Sequence, residues 1–238
     1  MKYHPLLVGL LSLGGIAACA PVQLQVPSEL AEHRLEVARH GRELTIGEFS
    51  IRADQPKSRI KRTSFGAFLQ DEQVRETHLF GFTLVVDGLV EDEVACERDS
   101  NEKYHSIGVA EFTRSTHRLS CVLTAPDGTA RGQLTMNADQ SVHHLRGQMV
   151  RSEVELELVP SEHSELADST TGDAFAPAGY ELRVGGVQVG AVQTVNGEVV
   201  WIDKRAPSWL RKYVALASAV LLLHSEIHYA EGPRLSKL

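Results

Sequence analysis

The chain is short of cysteine, of aromatic residues and of positive charge. Its 238 residues include three cysteines and 6% aromatics, and 24 Lys and Arg stand against 31 Asp and Glu, a net charge of −7. This balance excludes nucleic-acid binders that attach through a large basic surface. The 42% apolar and 23% charged residues also exclude a disordered or collagen-like chain. A folded core is therefore expected, in one domain.

Catalytic motifs are lacking as well. We find no G-x-S-x-G and no P-loop. The glycine-rich run Gly185 to Gly190 lies between two predicted strands, which is typical of a hairpin and not of a phosphate loop. The sequence therefore favours a non-enzymatic protein without a cofactor, and an enzyme whose site is assembled from distant loop residues is an alternative.

No pattern predicts a metal site. His224 and His228 are one helical turn apart around Glu226, but no third ligand can be named and a helix C-terminus favours such cations by itself. His143 and His144 are adjacent in a predicted strand and point to opposite faces. An acidic turn lacks the spacing of a calcium loop; its members are Asp87, Glu91 and Asp92.

The first 18 residues have the features of a signal peptide. Lys2 precedes the apolar run Leu6 to Leu13, and small residues follow. Ile16-Ala17-Ala18-Cys19 resembles the lipobox of bacterial lipoproteins. The resemblance implies cleavage before Cys19, lipidation of Cys19, a tether over residues 19–32 and, since no Asp follows the cysteine, an outer-membrane location facing the periplasm. The alternative is an ordinary secreted protein cleaved at Ala18-Cys19-Ala20.

Cys96 and Cys121 are the remaining thiols. An even number of cysteines in an oxidising compartment predicts a disulfide between them, and two free buried cysteines are the alternative.

Alternating apolar residues and turn pairs recur through residues 33–203. The pairs Asp87-Gly88, Asp127-Gly128 and Asn196-Gly197 separate alternating runs, as in β-hairpins. Further strand candidates are Leu44–Ile51, Lys57–Thr63, Ser106–Thr113 and Val142–Val150, whereas Arg34–Ala38 fits a short helix or a hairpin, and Ser161 to Pro177 is a predicted loop. About a dozen antiparallel strands are expected.

The pattern changes after Pro207, where a helix over residues 207–228 is predicted. Tyr213 to Leu223 is apolar except for Ser218, and these 11 residues span roughly 16 Å as a helix, about half a bilayer core. A transmembrane tail is therefore not expected. A helix that is apolar on all sides has to be buried on all sides. This predicts a mainly β fold, an antiparallel barrel of about twelve strands enclosing the helix, with a two-layer sheet around the helix as the alternative.

Many strands followed by a terminal apolar helix resemble the tubby C-terminal and phospholipid-scramblase-like barrel superfamily. The resemblance depends on the arrangement around Trp201 to Leu223 and on no catalytic motif. It implies a barrel of about twelve strands around a C-terminal helix and an association with lipids. None of that superfamily's functional residues matches a position here.

The candidate binding residues form the only basic cluster, which consists of Lys57, Arg59, Lys61 and Arg62. Local positive charge predicts contact with anions such as lipid headgroups, and a solvated strand is the alternative. Trp201 and Trp209 are expected to be packing anchors at the helix entry. The sequence thus predicts a cell-envelope lipoprotein that binds a lipid or another envelope component, or a structural lipoprotein with a protein partner.

Overall fold

The computed structural model describes residues 24–65, 71–107, 110–139, 144–161 and 177–231, and these residues form mainly β structure. The helices are α1 (Ser28–Ala31) and α2 (Ser208–Glu231). The strands are β1 (Arg34–His40), β2 (Glu43–Ile46), β3 (Phe49–Ala53), β4 (Lys57–Phe65), β5 (Asp71–Val86), β6 (Leu89–Ile107), β7 (Ala110–Thr124), β8 (Ala130–Asp139), β9 (Arg146–Arg151), β10 (Val154–Pro160), β11 (Gly179–Val184), β12 (Val187–Gln193) and β13 (Val199–Ile202).

The sheet closes into an antiparallel barrel. Its strand order is β3-β2-β1-β13-β12-β11-β10-β9-β8-β7-β6-β5-β4, and an additional pairing of β3 with β5 completes the circle. Because β3 and β4 pair with successive parts of β5, the closed wall has twelve strands in the described part of the chain. The predicted barrel is confirmed, and the two-layer alternative is wrong because the sheet has no gap between β3 and β5.

Helix α2 fills the inside of this barrel. Every residue from Tyr213 to Leu223 is at most 6% exposed, which is possible only if the wall surrounds the helix. The wall approaches closely at Gly190 on β12, where an added Cβ would come within 2.6 Å of Val214 Cγ1. The barrel therefore has a packed core and not a ligand-filled lumen.

The two ends of the barrel differ, and we name them after α2. At the N-terminal mouth, where α2 begins, Lys212 pairs with Glu91 after the β5–β6 turn, and Arg211 pairs with Glu48 of the β2–β3 turn. At the C-terminal mouth, Glu226 of α2 pairs with Arg39 near the end of β1. Because neighbouring strands are antiparallel, each of the remaining turns also lies at one of these two mouths.

Several hairpins lie as predicted. Asp87 and Gly88 both have positive φ, 51° and 79°, as a two-residue turn that matches the strand twist requires. Cys96 and Cys121 lie directly opposite each other on β6 and β7 and form the predicted disulfide. The hairpins predicted at the glycine-rich run after Gly185 and at Asn196-Gly197 are also confirmed, between β11 and β12 and between β12 and β13.

Three local predictions need correction, and one open alternative is decided. Leu44–Ile51 is two strands, because Gly47 turns the chain with a φ of 60°. Ser106–Thr113 is not one strand, since it covers the end of β6 and the start of β7. The hairpin alternative for Arg34–Ala38 is confirmed, because this segment belongs to β1 and the chain turns at Gly41 into β2. Helix α2 extends to Glu231, three residues beyond its predicted end.

Two further predictions lie partly outside the described residues. The candidate strand Val142–Val150 is described only in part, where it contributes to β9. Most of the predicted loop between Ser161 and Pro177 is outside the description.

The segment from Leu24 to Ala31 packs on the outside of the barrel. Leu24 and Leu30 cover Trp201, whose side chain points outward from β13 and is only 7% exposed. The Leu24 amide donates a hydrogen bond to Oε1 of Gln193, 3.0 Å away. Gln193 ends β12 next to the Asn196-Gly197 turn, so Leu24 lies at the C-terminal mouth.

Candidate functional site

The predicted basic cluster lies on β4, which pairs with the part of β5 that extends beyond β3. Lys57, Arg59 and Lys61 occupy alternate positions and share the outward face, and all three are exposed. Arg62 lies on the other face, with Nη1 4.0 Å from the Glu72 carboxylate. The structure thus brings three of the four predicted cations together.

The three outward cations face little compensating charge. Their register partners on β5 are Leu79 for Lys57, Thr77 for Arg59 and Arg75 for Lys61. Arg75 is itself a cation and pairs with Asp99, 3.3 Å away. Within the described ranges, none of the three cations of β4 forms an ion pair. We call Lys57, Arg59 and Lys61 the β4 cationic face.

The β4 cationic face also has a structural role. In the described part of the chain, β4 has a single neighbouring strand, β5, and so presents an open edge. Lysine and arginine on an edge strand oppose its pairing with the edge of another copy, because like charges would then meet. Anion binding and protection of the edge are compatible uses of the same charges.

A second charged group lies at the N-terminal mouth. Glu91 is an extra residue in β6, since Leu84 pairs with Asp92 while Val85 pairs with Val90. Past this bulge, the Asp92 side chain points into the barrel and is 0% exposed. It accepts contacts from Arg131 at 3.0 Å and from Arg151 at 3.2 Å.

Lys212 of α2 completes this group. Its Nζ donates to Glu91 Oε2 at 2.8 Å, and this hydrogen bond lowers the pKa of Glu91 from its ordinary value. Two carboxylates therefore compensate three cations, which leaves one excess positive charge among these five residues. Two members of the acidic turn, Glu91 and Asp92, are thus held in ion pairs.

A cleft of about 310 Å³ opens beside these residues. Its described lining consists of Arg151, Ser152, Val154, Trp209, Lys212 and Tyr213. Trp209 is 49% exposed, so the prediction that it is a packing anchor is wrong, whereas Trp201 is packed as expected. The cleft is not visible in the sequence, because its lining comes from two separate segments of the chain.

The inside of the barrel becomes polar towards the C-terminal mouth. His78 Nε2 lies 3.4 Å from a Glu76 oxygen, and Ser100 Oγ is hydrogen-bonded to His117 Nδ1 at 2.7 Å. Arg98, the register partner of His78, is 3% exposed. These residues lie on the same inward faces of their strands as Phe80, Cys96 and Leu119. Extending the alternation of inward positions along each strand would have predicted them.

The remaining predicted candidates are dispersed. Cys19 and His143 lie outside the described residues, and nothing is described of the His228 side chain. The Glu226 carboxylate forms an ion pair with Arg39, whose Nη1 lies 2.6 Å from Oε2, and His224 on α2 is buried. A search of the described residues finds no group of three or more potential metal ligands.

Neither helix in the described part combines the length and the apolar character needed to span a bilayer. Comparisons with protein-family models, with curated proteins and with solved structures found no match for this chain.

Proposed function

We propose that this protein is a cell-envelope lipoprotein, tethered by lipidated Cys19 to the outer membrane and facing the periplasm, and that it is a non-enzymatic module that binds anionic headgroups. The observation that carries the proposal is the β4 cationic face, three exposed cations at strand spacing without ion pairs among the described residues. Cations close to an anionic lipid surface contribute about 1 kcal/mol each to binding.

The position of the N-terminal segment supports this proposal. Leu24 lies at the C-terminal mouth and is five positions after Cys19 in the chain. An extended chain covers at most about 3.6 Å per residue, so the distance from Cys19 to Leu24 is no more than about 18 Å. Lipidation of Cys19 therefore holds the C-terminal mouth near the membrane. Strands β4 to β7 extend towards that same mouth.

The filled barrel limits where a lipid could bind. Since Tyr213 to Leu223 occupy the interior, an acyl chain has no room there. Binding at the outer surface, through headgroup charge, is the mode that this architecture allows.

Vesicle retention tests the proposal. The chain from residue 20 onward keeps every described residue and is mixed with phosphatidylcholine vesicles containing about 30% phosphatidylglycerol. Replacing Lys57, Arg59 and Lys61 by Gln should weaken retention roughly a hundredfold at low salt, since three contributions of about 1 kcal/mol are lost.

A matched control neutralises three exposed cations at the opposite mouth: Arg34, Lys204 and Arg205. This variant has the same net charge as the β4 variant and should bind as the unchanged chain does. Equal weakening in both variants would show attraction by net charge alone, and no weakening in either would remove the headgroup proposal.

A protein partner is the second candidate, favoured by the open edge of β4. An extended acidic segment could add a strand there, using backbone hydrogen bonds and the cations of β4. Co-purification of one stoichiometric envelope protein that is lost in the β4 variant, without vesicle retention, would favour this function over headgroup binding.

A further inference from the structure

The cleft at the N-terminal mouth lies at the end of the barrel opposite to the proposed membrane contact. Its volume of about 310 Å³ is at the small end of the range for ligand pockets. Its described lining carries two cations, Arg151 and Lys212, and no carboxylate. The acids of the neighbourhood, Glu91 and Asp92, hold these cations from outside the lining.

Arg151 is positioned by a fully buried anion. Asp92 is 0% exposed and contacts Arg151 through Nη1, while Arg131 contacts its other oxygen. A guanidinium has five N–H donors in a rigid plane, so one contact leaves others available. The Arg151 side chain is 23% exposed and lines the cleft.

Trp209 and Lys212 lie three residues apart on α2 and therefore on one side of the helix. Trp209 gives the cleft an aromatic face, since the indole is 49% exposed. Tyr213 closes the floor: its hydroxyl donates to the Met149 carbonyl at 2.6 Å, and burial raises its pKa, so it remains protonated. The beginning of α2 at this mouth adds a dipole that favours negative charge.

We propose that this cleft binds a small organic anion with a planar ring, its phosphate or carboxylate group held by Arg151 and Lys212 and its ring stacked on Trp209. The ligand class follows from the lining, because a guanidinium matches the geometry of both anions and an exposed indole provides a stacking surface. This site is separate from the β4 cationic face and does not depend on the lipid anchor.

Fluorescence provides a direct test, because the chain has two tryptophans. In the Trp201→Phe background the signal comes from Trp209 alone. Titration with phenyl phosphate should give a saturable change, and phenol and inorganic phosphate should bind at least tenfold more weakly, since each lacks one of the two contacts. Arg151→Gln should weaken phenyl phosphate binding about tenfold or more, whereas Arg59→Gln on β4 should leave it unchanged.

A second measurement does not depend on replacing Trp201 or Arg151. The line width of the phosphorus NMR signal of phenyl phosphate reports binding to the otherwise unchanged chain. Trp209→Ala should reduce the affinity for phenyl phosphate to that for inorganic phosphate, and Lys212→Gln should weaken both. The proposal is overturned if phenyl phosphate does not saturate, if phenol binds equally well, or if neither cation variant changes the affinity.

Discussion

Asp92 shows how one backbone irregularity changes the role of a residue. The sequence groups it with Asp87 and Glu91 as an acidic turn. The bulge at Glu91 directs Asp92 into the barrel instead, where Arg131 and Arg151 approach within 3.2 Å. A carboxylate that is fully buried between two guanidiniums cannot be replaced by a neutral group without leaving charge uncompensated.

Asp92→Asn should therefore lower the free energy of unfolding by about 3–5 kcal/mol, as expected for breaking a buried ion pair. Urea denaturation measures the change. Glu93→Gln is the matched control, because Glu93 is the next residue and is exposed. An equally small loss of unfolding free energy in both variants would show that Asp92 is not buried between Arg131 and Arg151.

The pair of Glu91 and Lys212 predicts a pH dependence. The Lys212 hydrogen bond lowers the pKa of Glu91 in the folded state, so the pair stabilises the fold above the unfolded pKa of about 4.3 and this contribution is lost as the pH falls. Lys212→Met should raise the pKa of Glu91 towards its ordinary value, as measured by carboxyl NMR titration. The loss of unfolding free energy caused by Lys212→Met should be largest at neutral pH and smaller at pH values below about 4.

Lys204→Met is the comparison for this titration, since Lys204 is an exposed lysine at the same mouth. It should leave the pKa of Glu91 unchanged. An unchanged pKa in Lys212→Met would contradict the assigned pair.

At the scale of elements, strands were easiest to predict where their inner face is apolar. The second half of β5 is recognisable from its apolar inward residues, Phe80, Phe82 and Leu84. In its first half the inward residues His78 and Glu76 are polar, so the apolar alternation is interrupted. The same change occurs on β6 after Cys96. The strands therefore extend further than predicted, and the polar interior near the C-terminal mouth was missed.

The terminal helix was predictable because its composition allows one environment. A helix without a polar face has to be enclosed, and a closed sheet built from such a pattern of hairpins encloses it. Its one internal polar residue, Ser218, is satisfied locally, since Oγ donates to the Val214 carbonyl at 2.7 Å.

Enclosure predicts that no side of α2 accepts a larger side chain. Ala215 and Ala217 are both 0% exposed and point to nearly opposite sides of the helix. Ala215→Leu and Ala217→Leu should each destabilise the protein by about 1–3 kcal/mol through overpacking. Thermal or urea unfolding measures both. A helix lying on one side of an open sheet would tolerate one of the two substitutions without loss.

For the whole molecule, sequence reasoning was most successful with the architecture and least with the sites. The barrel follows from local patterns, and the β4 cationic face was visible because its cations are neighbours in sequence. The mouth cleft could not be predicted, because residues 91–92, 131, 151–154 and 209–213 meet only after the barrel closes. The lipobox and superfamily resemblances remain predictions.

The molecule has a filled interior, an exposed cationic edge for which we propose membrane contact, and a cleft at the other mouth for which we propose an anionic ligand. Hydrogen exchange of the lipidated chain in phosphatidylcholine vesicles, with and without phosphatidylglycerol, tests this division most directly. The account predicts that phosphatidylglycerol slows amide exchange at residues 57–62, while residues 213–223 remain the slowest and unchanged. Equal exchange at residues 57–62 in both vesicles, or rapid exchange at residues 213–223, would contradict it.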